Sequence, residues 1–339
     1  MNPYKKMISI LTTDELLDFV FSRASKVEIK NEKRLKAIIK ARKKESYRIR
    51  TVEEELTNKL EQYIKSYPNF DLMDPFYLEL TDIVIDGGLD KIRKVLASLS
   101  GGIPVINKIS SIALNNIRYS SNAKEIAKIR MGFYGRISSI IKQYSDRFLD
   151  LIAFRQILRK LPTVDPRLPT IVVAGYPNVG KSSLVKIIST AKPEISYYPF
   201  TTKKIIVGRF NYEQINIQII DSPGLLDRSL DKRNKIEIQS ILALNYLAKI
   251  IIFMIDPSEF CGYPIKRQIS LLKNIMNIFS DIPFILIQNK IDLKKTPFDF
   301  ENELNKKFKV FRTDLKNKVG IQDIIDYIIN NYEELITSS

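Results

Sequence analysis

The sequence has no histidine and only one cysteine. Without an imidazole there can be no Ser-His-Asp triad, no Cys-His pair and no His-containing zinc site. A single thiol can form neither an internal disulfide nor a CxxC pair, which excludes a secreted disulfide scaffold. Long apolar runs are missing too. The longest, such as Ile250 to Ile255, fall far short of the roughly 20 residues that cross a bilayer, so no membrane span is expected. The start of the chain carries Lys5 and Lys6, but Thr12-Thr13-Asp14-Glu15 breaks the following apolar stretch before it reaches signal-peptide length. The expected location is cytoplasmic.

What the chain does have is bulk and positive charge. Its 339 residues are 45% hydrophobic, enough for a sizeable core in roughly two domains and against global disorder. Lys and Arg number 54 against 38 Asp and Glu, a net charge of +16. Such a surplus favours a polyanionic partner, nucleic acid first and an acidic membrane face second. It is uneven: residues 1–167 carry 31 basic and 20 acidic side chains, residues 168–339 carry 23 and 18.

The more basic half reads as helical almost throughout. Thr12-Thr13-Asp14-Glu15 forms a capping box, and Asn122-Ala123-Lys124-Glu125 resembles a second helix start. Ile126, Ile129, Phe133, Ile137, Ile140, Tyr144, Phe148, Leu151 and Ile152 recur at three and four, which predicts one long amphipathic helix. Shorter helices are expected before it, one closed by Gly101-Gly102 and another opened by Pro104. A helical bundle over 1–162 accommodates these segments. Pro162, Pro166 and Pro169 make 163–169 a linker. Beyond it, β-branched runs at Ile171–Ala174, Ile205–Val207, Ile215–Ile220, Ile250–Ile255 and Phe284–Ile287 alternate with helical patterns. That alternation predicts a doubly wound, mostly parallel α/β domain over 170–335.

The first of these runs leads into Gly175-Tyr176-Pro177-Asn178-Val179-Gly180-Lys181-Ser182, followed at once by a helical pattern. This is a Walker A phosphate loop in its required context. Glycines let the backbone N–H groups curl around phosphates, Lys181 reaches the β- and γ-phosphates, and Ser182 ligates Mg²⁺. Gly175, Asn178, Val179, Gly180 and Ser183 are the further nucleotide contacts expected in this loop and helix start. The run at Ile215–Ile220 ends in Asp221-Ser222-Pro223-Gly224, where a carboxylate holds Mg²⁺ through water and the Gly224 amide senses the γ-phosphate. The run at Phe284–Ile287 is followed by Asn289-Lys290-Ile291-Asp292. Asp292 accepts two hydrogen bonds from the guanine edge, which adenine cannot supply; Asn289 braces the loops and Lys290 lies along the base. These motifs together point to GTP and GDP as ligands. Between them, Tyr198-Pro199-Phe200-Thr201-Thr202-Lys203 offers Thr202 to Mg²⁺ and the γ-phosphate in the triphosphate state, the other reading being a polar turn. The last base contact falls to Phe311-Arg312-Thr313-Asp314-Leu315-Lys316, with Leu315 as the candidate.

These stretches, with Asp221-Ser222-Pro223-Gly224-Leu225-Leu226-Asp227-Arg228 and Asp256-Pro257-Ser258-Glu259-Phe260-Cys261-Gly262-Tyr263, resemble the Nog family, nucleolar GTP-binding proteins within the Obg-related GTPases. Arg233 to Gln239, Ile241 to Leu247 and the helical N-terminal half fit as well, so the resemblance covers essentially the whole chain. It implies a P-loop GTPase domain behind a helical domain, acting in assembly of the large ribosomal subunit. Expected partners are the subunit precursor and its rRNA, with ribosomal proteins or assembly factors besides and no DNA. The short stretch after the GTPase domain fits an archaeal-type member.

Three features refine this expectation. Leu225 stands where Ras-like enzymes carry a water-orienting glutamine, so slow intrinsic turnover is expected, with Lys181, Thr202 and Gly224 supplying charge compensation. Asn178 either holds K⁺ near the phosphates or stabilises the loop turn. Lys30 to Arg50 holds ten basic residues against Glu32 and Glu45, with Tyr47 available for stacking, which marks it for rRNA. Arg130, Arg136 and Arg155 are as well suited to intramolecular pairs, and Cys261 reads as a packed thiol. The competing reading is a signalling switch whose helical domain binds a protein effector or an acidic membrane.

Overall fold

The structure, a computed structural model, describes residues 2–28, 36–199, 204–222, 226–227, 235–293, 298–304 and 308–332. The N-terminal helices are α1 (Thr13–Ser25), α2 (Ala37–Ser66), α3 (Pro75–Val84), α4 (Gly88–Tyr119), α5 (Ala123–Gln143) and α6 (Ser145–Leu158). The chain divides into two compact units. One comprises 3–71 and 85–159; the other comprises 1–2, 72–84 and 160–339.

The first unit is helical, and its ends are written in the sequence. The Thr12 side chain accepts the Glu15 N–H, and the Glu15 carboxylate accepts the Thr12 N–H at 2.8 Å, so both arms of the capping box form. That bond holds the Glu15 carboxyl below its ordinary value. Asn122 caps α5 by accepting the Lys124 N–H at 2.9 Å. The core runs along stripes: Leu16, Val20 and Ala24 on α1; Ile49, Val52, Leu56 and Leu60 on α2; Ile92, Val95, Leu99, Ile106 and Ile117 on α4; Phe133, Ile137 and Ile141 on α5. Each large aliphatic buried in this way contributes about 1.5–3 kcal/mol.

Three expectations about these helices change. Gly101-Gly102 and Pro104 do not divide a pair of helices; α4 runs unbroken through them for 32 residues. Its buried stripe continues on both sides of Pro104, and a Cβ on Gly102 would press on the Tyr144 hydroxyl at 3.1 Å, so this glycine serves close packing rather than a stop. The long helix expected over 126–152 is two helices. Tyr144 turns out of helical geometry at ψ +4° and donates its N–H to Ile141 and Lys142 before α6 begins. Helix α4 is also long and apolar enough to cross a membrane by length and composition, contrary to the expectation that no such segment exists. Its apolar stripe packs against α2 and α5.

A single cut near residue 162 does not reproduce the two units either, because α3 groups with the α/β unit. Phe76, Tyr77 and Leu80 are buried there. The Tyr77 hydroxyl donates to the Pro162 carbonyl at 2.8 Å and accepts the Val164 N–H at 3.2 Å, and the Phe76 ring lies 6.5 Å from that of Tyr198.

The second unit carries β1 (Thr170–Ala174), β2 (Glu194–Ser196), β3 (Ile205–Tyr212), β4 (Ile215–Asp221), β5 (Ala248–Ile255), β6 (Phe284–Gln288) and β7 (Lys309–Arg312). Its helices are α7 (Lys181–Ile188), α8 (Lys235–Leu242), α9 (Ile265–Ile278), α10 (Phe300–Leu304) and α11 (Ile321–Asn330). The strands form one sheet in the order β2-β3-β4-β1-β5-β6-β7. It is parallel from β4 to β7 and antiparallel at β2-β3-β4, a mostly parallel mixed sheet as the alternating pattern predicts. Thr170–Ala174 is buried along its whole length at the centre, which is why it reads as a continuous apolar run. Ile171, Val173, Ile252 and Ile287 share a core with Leu184 and Val185 of α7 and Ile324 and Ile328 of α11.

Candidate functional site

Loops follow the C-terminal ends of the parallel strands β1, β4, β5, β6 and β7, the edge at which such sheets hold ligands. The β1 loop spans Gly175 to Gly180 and opens α7 at Lys181. Gly175 sits at φ +133° and Gly180 at φ +114°. A Cβ on the first would collide with the Met254 carbonyl oxygen, and one on the second with the Asn289 amide, so neither position accepts a side chain. Lys181 is buried, and its Nζ donates to the carbonyls of Gly175 at 2.7 Å and Tyr176 at 2.8 Å. The ammonium is thereby drawn back over its own loop, at the start of a helix whose backbone N–H groups favour an anion.

Ser182 donates its hydroxyl to Asp221, which ends β4 and is fully buried. These two side chains meet although 39 residues separate them. Both are hard oxygen donors, and among the described residues no cluster of three acidic, Cys or His side chains exists. The pair suits a cation such as Mg²⁺, which takes one or two protein oxygens and fills its sphere with water and phosphate oxygens, better than one needing an all-protein cage. Thr202 and Gly224, assigned to the same chemistry, lie outside the described residues, as does Leu225.

Asn289 joins the remaining loops. Its Nδ2 donates to the Val179 carbonyl at 2.7 Å, while its Oδ1 accepts from the Thr313 hydroxyl at 3.1 Å and the Leu315 N–H at 3.3 Å. Asn289 thus links the loop after β6 to the β1 loop and to the loop after β7, where Leu315 lies. Lys290, at φ +61°, swings its Nζ to within 2.7 Å of Asp256. Asp292 is exposed and lines a cavity of about 720 Å³ with Asn178, Gly180, Ser183, Asn289, Lys290 and Leu315. A second cavity of about 530 Å³ touches Asn178, Gly180, Lys181, Ser182, Ser183, Lys204 and Asp227. Asn178, Gly180 and Ser183 border both. Asn178 also adopts φ +63°, a left-handed conformation that asparagine tolerates, which accounts for its presence without a cation.

The loop after β5, picked out in the sequence only by resemblance, is a structural hub. The Asp256 carboxylate is fully buried and accepts the N–H groups of Ser258 at 3.0 Å and Cys261 at 2.7 Å, the Ser258 hydroxyl and the Lys290 ammonium. Burial pushes its pKa up, but the bonds from Lys290 and Ser258 outweigh burial and hold it below the ordinary value. Gln268 of α9 fastens the same loop, accepting the Asp256 N–H and donating to the Asp256 and Tyr263 carbonyls. Tyr263 stacks on Tyr176 of the phosphate loop with ring centroids 4.3 Å apart. An Asp-Pro-Ser at the end of an apolar strand is the local signal that could have marked this turn. Cys261 is buried and its thiol is pushed up by burial, as befits a packed residue.

The NOG1 N-terminal helical domain family matches residues 4–165, and the nucleolar GTP-binding protein 1 (NOG1) family matches residues 235–292. The chain belongs to the Nog family. An uncharacterized protein of Methanocaldococcus jannaschii is 41% identical over 293 residues, which cover 86% of this chain and 81% of that one. Nucleolar GTP-binding protein 1 of Drosophila melanogaster is 30% identical over 300 residues, 88% of this chain and 46% of the fly protein. The chain thus spans less than half the length of that nucleolar relative. The crystal structure of a candidate nucleolar GTP-binding protein 1 from Plasmodium falciparum shares 34% identity over 52% of this chain and 99% of its own, with a TM-score of 0.42.

In the helical unit of this Nog-family chain, the basic run is sorted by the fold. Lys30, Lys33 and Arg34 lie outside the described residues. Arg42 donates twice to the Ser120 carbonyl, and Arg48 and Arg130 both pair with Glu45, so these three are occupied within the protein. Lys36, Lys40, Lys43 and Arg50 are exposed, as is Tyr47. Arg155 donates to the Met7 carbonyl, whereas Arg136 is exposed.

Proposed function

We propose that this chain binds GTP and GDP, hydrolyses GTP slowly with Mg²⁺, and acts as a GTP-gated factor in assembly of the large ribosomal subunit. The observation that carries the nucleotide reading is Asn289. Its side chain ties the guanine-type loop to the phosphate loop, so a base lodged against Asp292 and phosphates lodged at Lys181 fall on one continuous surface. Backbone N–H groups at the start of α7 receive the phosphates, and Lys181 exchanges its loop carbonyls for the β- and γ-oxygens. Ser182 and Asp221 would hold Mg²⁺, directly and through water. When bound, that ion neutralises charge on the phosphates. Thr202 and Gly224 complete the γ-phosphate contacts in this reading, and Leu225 leaves the attacking water without a side chain to orient it.

The assembly reading rests on the family and on the surplus of charge. The exposed Lys36, Lys40 and Arg50, with Tyr47 among them, offer phosphate contacts and a stacking face at the start of α2. The experiment is co-sedimentation of the pure protein with large-subunit particles, comparing a non-hydrolysable GTP analogue with GDP across a salt series. Retention with the analogue that weakens with GDP and with rising salt is expected. Failure to bind in either state would discard the assembly role and favour a switch acting on a protein effector.

A further inference from the structure

Phe260 is 77% exposed, an uncommon position for a phenylalanine at the rim of a binding cavity. It is not exposed because its loop is slack. On one side, Asp256 accepts the N–H groups of Ser258 and Cys261, and on the other, the buried Cys261 anchors the chain. Between them, Glu259 takes φ +61°, its N–H donates to the Asp256 carbonyl at 3.1 Å, and its side chain accepts the Ile265 N–H at 2.8 Å. Gly262 adds φ +91° and donates to the Glu259 carbonyl at 2.9 Å. The result is a fixed turn with one apolar ring at its tip.

That ring faces the 720 Å³ cavity, whose other walls include Lys290, Asp292, Leu293 and Leu315. The Lys290 Nζ lies 5.2 Å from the Phe260 centroid while bonded to Asp256. One buried carboxylate therefore positions both the lysine of the guanine loop and the loop that presents the ring. An exposed aromatic face, a lysine stem and a carboxylate around one cavity suit a planar, hydrogen-bonding, π-faced ligand.

Resting on the nucleotide reading above, we propose that Phe260 is a base-contact residue that packs against the guanine of bound GDP or GTP and contributes affinity beyond the Asn289, Lys290 and Asp292 contacts. Asp256 acts through it and Lys290 as a positioning residue.

The chain has no tryptophan, so Phe260→Trp places a single reporter in the cavity. GDP binding is measured first on the unaltered protein by equilibrium dialysis with labelled GDP. Expected next is quenching of the Trp fluorescence that saturates at the same GDP concentration as dialysis. Phe260→Ala should weaken GDP roughly tenfold, Phe260→Leu by less, and Phe260→Tyr should restore binding. If the unaltered protein binds GDP and Phe260→Ala binds it equally well, the base-contact role is overturned while the nucleotide reading stands. If the unaltered protein binds no GDP, both fall. Unfolding midpoints unchanged in Phe260→Ala are expected for a ring that touches ligand rather than core; a large drop in midpoint accompanying the affinity loss would also overturn the proposal.

Discussion

The side-chain amide of Asn289 donates to the backbone carbonyl of Val179 across 2.7 Å of space and 110 positions of sequence. The same side chain receives Thr313 and Leu315, so three loops from three strands share one buried residue. Asn289→Ala should therefore cost about 3 kcal/mol of stability, because buried donors and acceptors lose their partner together. Urea unfolding checks the magnitude. GDP affinity should fall in parallel, since the phosphate loop loses its brace, and an unchanged affinity would show that the brace is not needed for binding.

Asp292 should decide the base. Asp292→Asn exchanges an acceptor for a donor at the guanine edge, so GTP affinity should drop by roughly two orders of magnitude while xanthosine triphosphate gains. Competition between the two nucleotides reads this directly. Equal loss of both would remove Asp292 from the base contact.

Gly175→Ala tests the loop geometry. The new methyl would meet the Met254 carbonyl at a φ of +133°, so the β1 loop must move. The variant should lose at least about 2 kcal/mol and show no rise in melting temperature with GDP, whereas the unaltered protein should be stabilised by GDP through mass action.

Acid should weaken the α/β unit through Asp256. Its folded pKa lies below the ordinary 3.8, because the Lys290 and Ser258 bonds overcome the upward push of burial. A depressed carboxyl stabilises fully above its unfolded value and loses that contribution as pH falls through its folded one. The deficit of Asp256→Asn in urea midpoint should thus be constant from pH 7 to about 5 and shrink below about pH 4. A deficit that stays the same down to pH 3 would contradict this.

Turnover should be slow, on the order of 10⁻⁴ to 10⁻² s⁻¹ without a partner, given Leu225 in place of a glutamine. Phosphate release measured in KCl and in NaCl tests Asn178: faster hydrolysis in K⁺ supports cation binding at this residue, and equal rates leave it the loop-turn role that its φ of +63° already explains.

The site was more legible in the sequence than the helical unit. Asp221 ends β4, Asn289 follows β6 and Lys181 opens α7 after the β1 loop, and in the proposed reading phosphate and base chemistry fixes residue type and spacing together, so short patterns carry them. Local propensity makes Gly101-Gly102 and Pro104 punctuation, but the stripe of α4 on α2 and α5 and the close approach of Tyr144 to Gly102 decide otherwise. Tyr144 ends α5 although its apolar spacing continues, since a heptad-like rhythm does not register a one-residue turn. Asp256 and Phe260 escape for a different reason: the Asp-Pro-Ser turn is locally marked, but the bond from Asp256 to Lys290, 34 positions away, is one that no local rule supplies.

The allegiance of α3 has a consequence for how the chain comes into being. Tracing from the start, the polypeptide passes between its two units at Asn2 to Pro3, Asp71 to Leu72, Val84 to Ile85 and Arg159 to Lys160. Phe76, Tyr77 and Leu80 are thus synthesised well before Pro162, Val164, Tyr198 and α8 exist to cover them. The apolar face of this helix therefore waits for the last-made half to bury it, and folding of the α/β unit is expected to finish only once that half has emerged, unlike that of two successive autonomous domains.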